Sequence, residues 1–163
     1  MKKKTADLLP VNKKKGSANG LDRLKLLNRK QRHAVLATTS KDMPYTSLIA
    51  YALTPDMEII FATPKNTQKY RNILNNSSIA ILIDTRSNTD RGYLGAEAIT
   101  ALGTAHPVRR GEKWKKLVQV FLKKHSQLAG FIDAPSTALI LVKVSRCVHV
   151  SRFQVVTAWS KDK

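Results

Sequence analysis

Between residues 57 and 73 the stretch MEIIFATPKNTQKYRNI gathers two hydroxyls, an amide and two lysines around one corner. An apolar approach from Met57 to Phe61 ends at Thr63, the Pro64–Asn66 segment breaks the pattern, and Thr67 opens a helical stretch. The first turn of a helix carries unpaired N–H groups and the positive end of the helix dipole, so it can hold an anion such as phosphate. Thr67 can donate a hydroxyl to that anion and Lys69 a charge. Thr63 can turn its hydroxyl to the same point from the preceding strand. Arg86, just after the next strand, can add a bidentate fork. The same residues equally describe a helix capped by Thr67 with its lysines in solvent. No Walker loop or GxGxxG stands beside them, and the local pattern leaves both descriptions open.

The remaining reactive residues form no comparable set. Cys147 and His149 alternate on one face of a strand, as the start of a metal site would, but no second ligand pair lies nearby in sequence, which favours a structural role. His125 falls on the apolar face of a helix, where a lone histidine is usually a packed residue. No nucleophile, histidine and acid can be assembled from spacing. Lysines 113, 115, 116, 123 and 124 surround the exposed face of that helix. Few aromatics lie between them and no nucleic-acid module fits, so a solvated face is the simpler description.

These residues need elements to hold them. Leu21, Leu24 and Leu27 recur at helical spacing, so residues 20–32 read as an amphipathic helix. HAVLATTS (33–40) and PYTSLIAYAL (44–53) flank a KDMP turn and read as a hairpin. MEIIFAT (57–63) is a third strand, residues 66–75 a short helix with Tyr70, Ile73 and Leu74 inward, and SSIAILIDT (77–85) a fourth strand. A polar loop spans 86–95, and AEAITALGTAHPV (96–108) is a further strand. Residues 109–129 read as one helix with Trp114, Leu117, Val118, Phe121, His125 and Leu128 on a single face. TALILVKVSRCVHVSRFQVVTAW supplies two or three closing strands. Strand and helix do not alternate regularly. The order therefore predicts an antiparallel, mainly β barrel with peripheral helices rather than a parallel sheet.

The 163 residues suit one domain with a real core. The formal net charge is +18, of which residues 1–20, with six lysines and one aspartate, carry +5 and the rest +13. Residues 1–19 are basic and without periodicity, the composition of a disordered tail, which leaves 20–163 as the folded unit. A body so basic suits nucleic acid, an anionic cofactor or plain solubility. No run approaches the roughly 18 apolar residues of a membrane span. The lysines of the start precede no apolar stretch, so no signal peptide is expected. The single cysteine excludes an internal disulfide, and the expected compartment is the reducing cytoplasm.

The ordered run of a helix, HAVLATTS, PYTSLIAYAL, EIIFATPKNTQKYRNI, SSIAILID, ITALGTAHPV and a long helix resembles the pyridoxamine 5′-phosphate oxidase-like FMN-binding split-barrel family. The resemblance covers residues 21–108 well and the final strands more loosely. It implies an FMN-binding split β-barrel in which Tyr45, Thr46, Ser47 and Leu48 lie along the isoalloxazine. Thr63, Thr67 and Lys69 would hold the ribityl phosphate, and Trp159 would either cover the flavin of a partner subunit or cap its own barrel. It also implies a homodimer with flavin sites at the interface and a flavin-dependent oxidoreductase acting on an unknown small molecule. True oxidases of the family carry an arginine and a lysine where this chain has Ser47 and Ala52, and an arginine motif where it ends QVVTAWSKDK. The resemblance therefore implies retention of the flavin and not of the vitamin B6 substrate. Alternatives are a non-enzymatic FMN carrier or sensor and a basic nucleic-acid-binding domain. A third is a haem-binding relative, for which His33, His106 or His149 would be the axial ligand.

Overall fold

The computed structural model describes residues 18–87, 95–151 and 155–160. Most of the basic tail and the centre of the 86–95 loop lie outside the described residues. In chain order the elements are α1 (Ala18–Lys30), β1 (His33–Ser40), β2 (Met43–Leu53), β3 (Ile59–Pro64), α2 (Gln68–Asn75), β4 (Ser78–Asp84) and β5 (Glu97–Pro107). Then come α3 (Glu112–Lys124), a 3₁₀ turn at Ser126–Leu128, α4 (Ala129–Asp133), β6 (Thr137–Ser151) and β7 (Val155–Ser160). None of the described helices is long and apolar enough to cross a membrane.

Every strand pairing is antiparallel. The sheet order is β3-β2-β1-β4-β5-β6-β7, and a further β3–β6 pairing closes the first six strands into a barrel. The closure depends on the length of β6. One edge pairs with β5 along most of the strand, while the other is shared, residues 137–142 with β3 and 146–151 with β7. A bulge makes this possible. The register passes from Leu102↔Arg146 to Gly103↔Val144, leaving Ser145 unpaired, so the inward face of β6 switches from even residues up to Val144 to Cys147 and His149. A Cβ at Gly103 would collide with the Lys143 carbonyl, so this bulge requires glycine.

The barrel is split at β2. Residues 43–50 pair with β1, but β3 pairs with β2 only at Tyr51–Leu53 before leaving for β6. The outer edge of the first half of β2 is thus without a neighbouring strand. The interior is filled by Leu36, Tyr51, Phe61, Ile81, Ile83 and Ile99, all fully buried. Each such side chain stabilises the fold by about 1.5–3 kcal/mol. Leu24 and Leu27 of α1, also fully buried, belong to this core. At the end of the barrel where β1 stops and β2 starts, Ile73 of α2 joins the same core. Helix α3 lies outside and packs Leu117, Val118 and Phe121 on Ala52, Ile60, Leu139 and Leu141, a separate cluster.

Three expectations are corrected. The helix expected over 109–129 is broken after Lys124, because His125 (φ −131°, ψ 55°) turns its ring inward and its Nε2 lies 2.8 Å from the Tyr51 carbonyl. Burial lowers the His125 pKa. Leu74, expected inward on α2, is 58 % exposed, and Asn72 takes the inward place instead. Lys124 is not on a solvated face: its Nζ sits 3.9 Å from the Tyr51 ring centroid and donates to Asn28 Oδ1 at 2.8 Å. Burial, reinforced by Arg32, brings the Lys124 pKa down to about 8.

Candidate functional site

The corner at the end of β3 is ordered by its two threonines. Thr63 is 1 % exposed, and its hydroxyl lies 3.1 Å from that of Thr67. Thr67 is the N-cap of α2: its Oγ1 donates to the Pro64 carbonyl at 2.8 Å and accepts from the Tyr70 N–H at 3.4 Å. The capped-helix description is therefore correct as local structure. It leaves the other first-turn N–H groups facing outward, with half-buried Lys69 beside them. Lys65 is drawn away instead, its backbone N–H bonded to the Ser136 carbonyl and its Nζ to the Pro135 carbonyl at 2.8 Å.

The first half of β2 supplies the second part of the site. Tyr45, Thr46, Ser47 and Leu48 stand opposite Thr38, Ala37, Leu36 and Val35 of β1. Alternation sends Tyr45 and Ser47 to the inner face and Thr46 and Leu48 to the outer one. The backbone groups along the open edge of this segment have no strand to satisfy them, and Leu48 is 69 % exposed. The Ser47 hydroxyl is buried and has no hydrogen-bond partner among the described residues. A buried orphan hydroxyl beside an open strand edge fits a bound polar ligand, since such groups are rarely left unpaired. The residues present thus fit a flavin: a strand edge for the ring, and a helix start with Thr63, Thr67 and Lys69 for the phosphate.

Sequence reasoning missed the side chains that tie the two parts together. Gln68 Nε2 donates to Asn72 Oδ1 at 2.7 Å, and Asn72 Nδ2 donates to Thr38 Oγ1 at 3.0 Å. Thr38 Oγ1 in turn reaches the Tyr45 carbonyl at a longer 3.4 Å. Asn72 and Thr38 are 1 % and 2 % exposed. This polar chain runs from the first turn of α2 to the segment of β2 expected to meet the ring. The i,i+4 spacing of Gln68 and Asn72 was the available signal.

One predicted residue, Arg86, is not brought to the corner. Strand β4 leaves the α2 end of the barrel and pairs with β1 and β5, not with β3. Six residues of extended strand, roughly 20 Å, separate Ser78 from Asp84. Arg86 lies beyond that, at the opposite end, with its Nε 3.1 Å from Asp84 Oδ1. Trp159 pairs with Cys147, nine residues along β6 from the Ala138 that faces Thr63. It packs on its own core, and a Cβ added to Gly20 would stand 2.8 Å from Trp159 Cβ. Within one chain Trp159 caps the barrel.

The histidines and the cysteine are also placed. Cys147 is fully buried, and burial pushes its thiol up to about 11. His149 Nε2 lies 2.9 Å from Glu97 Oε2, with Arg23 at 3.9 Å from the same oxygen. No group of three potential metal ligands occurs among the described residues.

A split antiparallel barrel with an open β2 edge and a threonine-capped corner after β3 defines the class. The family model for pyridoxamine 5′-phosphate oxidase matches residues 22–151, and the chain belongs to that family. No curated protein matches the sequence. Among solved structures, a haem-binding protein from Mycobacterium smegmatis superposes with TM-score 0.77 at 17 % identity, over 87 % of this chain and 58 % of that one. The chain thus spans little more than half of that protein. An FAD-binding protein from Mesorhizobium loti gives 0.65 at 16 % identity, over 79 % and 90 %. The haem storage protein HutZ of Vibrio cholerae gives 0.67 at 14 %, over 76 % and 89 %. At such identities the likeness establishes the fold.

Proposed function

We propose that this chain binds FMN and acts as a flavin-dependent oxidoreductase on a small molecule other than the vitamin B6 phosphates. The observation that carries the reading is the orphan Ser47 hydroxyl on the open half of β2, a segment whose Tyr45 carbonyl is tied through Thr38 and Asn72 to Gln68 in the first turn of α2. When bound, the flavin supplies hydride and electron transfer. The chain's own part is to bind and orient. The edge of β2 offers backbone donors and acceptors to the ring, the first turn of α2 with Thr67 and Lys69 neutralises the phosphate, and the polar chain fixes one relative to the other. Ser47 and Ala52, where true oxidases have arginine and lysine, leave no charge there for a substrate phosphate.

The active unit is a homodimer in this reading. Helix α3 covers one outer face of the barrel, but Val35, Leu48, Ala80 and Leu82, on the outer face of β1, β2 and β4, belong to neither hydrophobic cluster. An open apolar sheet face of this kind is normally covered by a second copy. A partner docked there is also the route by which a second chain's Trp159 could reach the ring.

Titration of purified protein with FMN, followed by flavin fluorescence and calorimetry, tests the proposal together with sedimentation. The expected result is one FMN per chain, quenched fluorescence and a dimer. No FMN binding at micromolar concentration refutes it. A second reading, haem, is favoured by the likeness to two proteins described as haem-binding or haem-storing. His125 and His149 are buried and engaged, so an axial ligand would come from exposed His33 or His106. A Soret band on haem titration, lost in His33→Ala or His106→Ala, would support it.

A further inference from the structure

Two clefts of about 300 and 310 Å³ adjoin along the Pro107–Arg109 segment that leads from β5 into α3. One is walled by His106, Lys113 and Lys143, the other by Lys65, Arg110, Tyr70 and Trp114, and Arg109 belongs to both. Neither holds a carboxylate among its described lining residues. Neither do Lys65, Arg109, Arg110, Lys113 or Lys143 pair with an acid among the described residues. Five cations left together without counter-charge raise a local positive potential that an anion relieves.

Two of the five cations are held in place, while Arg109, Lys113 and Lys143 are exposed. Arg110 donates to the carbonyls of Asp133 and Ala134 at 2.9 and 3.0 Å, and its guanidinium lies 4.7 Å from the Trp114 ring centroid. Lys65 is fixed on the Pro135 carbonyl at 2.8 Å. Both tethers use carbonyls of the turn between α4 and β6, so that turn presets these two charges. Thr137, 5 % exposed, lines the same cleft and adds a hydroxyl to it.

We propose that these clefts form one groove for a phosphorylated aromatic ligand, a nucleotide or a short single strand of nucleic acid. The base extends the Trp114–Arg110 stack on its solvent side, as bases stack on guanidinium planes and aromatic rings. The phosphate lies toward Arg109, Lys113 and Lys143, and the Thr137 hydroxyl meets a polar atom of the ligand. The groove adjoins the flavin corner at Lys65, Tyr70 and Ala138, but Thr63, Thr67 and Lys69 line neither cleft, so Lys69 separates the two readings.

The test is titration of the full chain with AMP by calorimetry and with a fluorescein-labelled oligo-dT by anisotropy. Arg109→Glu/Lys113→Glu removes two exposed cations of the groove. Lys116→Glu/Lys123→Glu makes the same charge change on α3, outside the groove. The first variant should lose roughly tenfold to a hundredfold in affinity for whichever probe binds, since charge-assisted contacts are lost. The second should change little. Thr137→Val should lose about threefold to tenfold. Lys69→Ala should leave AMP affinity unchanged, which keeps this inference independent of the flavin reading. Binding of AMP assigns the groove to free nucleotides. Binding of the oligonucleotide alone, with a steep salt dependence, assigns it to a strand crossing both lobes. Equal losses in the two double variants mean a diffuse field and overturn the proposal. So does loss of AMP binding in Lys69→Ala, or binding of neither probe by the unmodified chain.

Discussion

Replacing Asn72 by alanine tests whether the polar chain from α2 to β2 positions the cofactor or merely fills the end of the barrel. The substitution removes two hydrogen bonds, from Gln68 at 2.7 Å and to Thr38 at 3.0 Å. Each is worth about 0.5–1.5 kcal/mol net, so the expected stability loss is about 1–3 kcal/mol. The Gln68 amide can turn to water, and the Thr38 hydroxyl keeps the Tyr45 carbonyl, so no fully orphaned group adds to this. For a chain of this size the melting temperature should fall by roughly 3–10 °C. The functional consequence is separate. With the tie cut, the Tyr45–Leu48 edge is no longer held in register with the first turn of α2, and FMN must pay the entropy of ordering the two parts. FMN affinity should therefore drop by about tenfold at a temperature where the variant is fully folded. The control is Asn76→Ala at the C-cap of α2, which likewise removes two bonds, to Thr39 at 2.9 Å and from the Ser78 N–H at 3.0 Å, both away from Tyr45, and should leave FMN affinity unchanged. The assay is FMN titration at 15 °C with folding checked by circular dichroism. The reasoning is refuted if Asn72→Ala melts earlier yet binds FMN within twofold of the parent. The chain would then be a stability device only.

Lys69→Ala should weaken FMN roughly tenfold to a hundredfold and riboflavin little, because only FMN carries the phosphate, whereas Lys65→Ala, whose amine is engaged at Pro135, should spare both; calorimetry with the two flavins decides. Cys147 has a folded pKa raised above its unfolded value, so its contribution is present at neutral pH and is lost as pH rises from about 9 to about 11. Urea denaturation across that window should show about 2 kcal/mol less alkaline loss in Cys147→Ala than in the parent chain. Lys124 opposes this. Its pKa is lowered to about 8, so its cost is present below that pH and is relieved as pH rises toward its unfolded value, and Lys124→Met should remove that rise in stability between about pH 8 and 10. Gly103→Ala should cost about 2–4 kcal/mol by thermal denaturation, since the new methyl collides with the Lys143 carbonyl at the bulge.

The elements that the sequence states strongly are those whose burial is periodic. The HAVLATTS strand begins and ends at His33 and Ser40 as its alternation requires, and the hairpin with β2 follows from a two-residue turn between apolar runs. The Thr67 cap and the antiparallel order were equally legible, because each rests on neighbours in the chain. The sequence stated a barrel but not which strands close it. Whether β3 stays beside β2 or crosses to β6 is decided by pairings such as Ile59↔Val142, between residues far apart in sequence. That choice opens the β2 edge, and so creates the ring-binding half of the candidate site. The same non-local pairing decides that Arg86, one helix and one strand beyond the corner in sequence, stands at the far end of the barrel, since direction along an antiparallel strand is set only once its partners are known. His125 breaks its helix for the same kind of reason: the Tyr51 carbonyl it meets lies 74 residues away in sequence, where no periodicity can announce it.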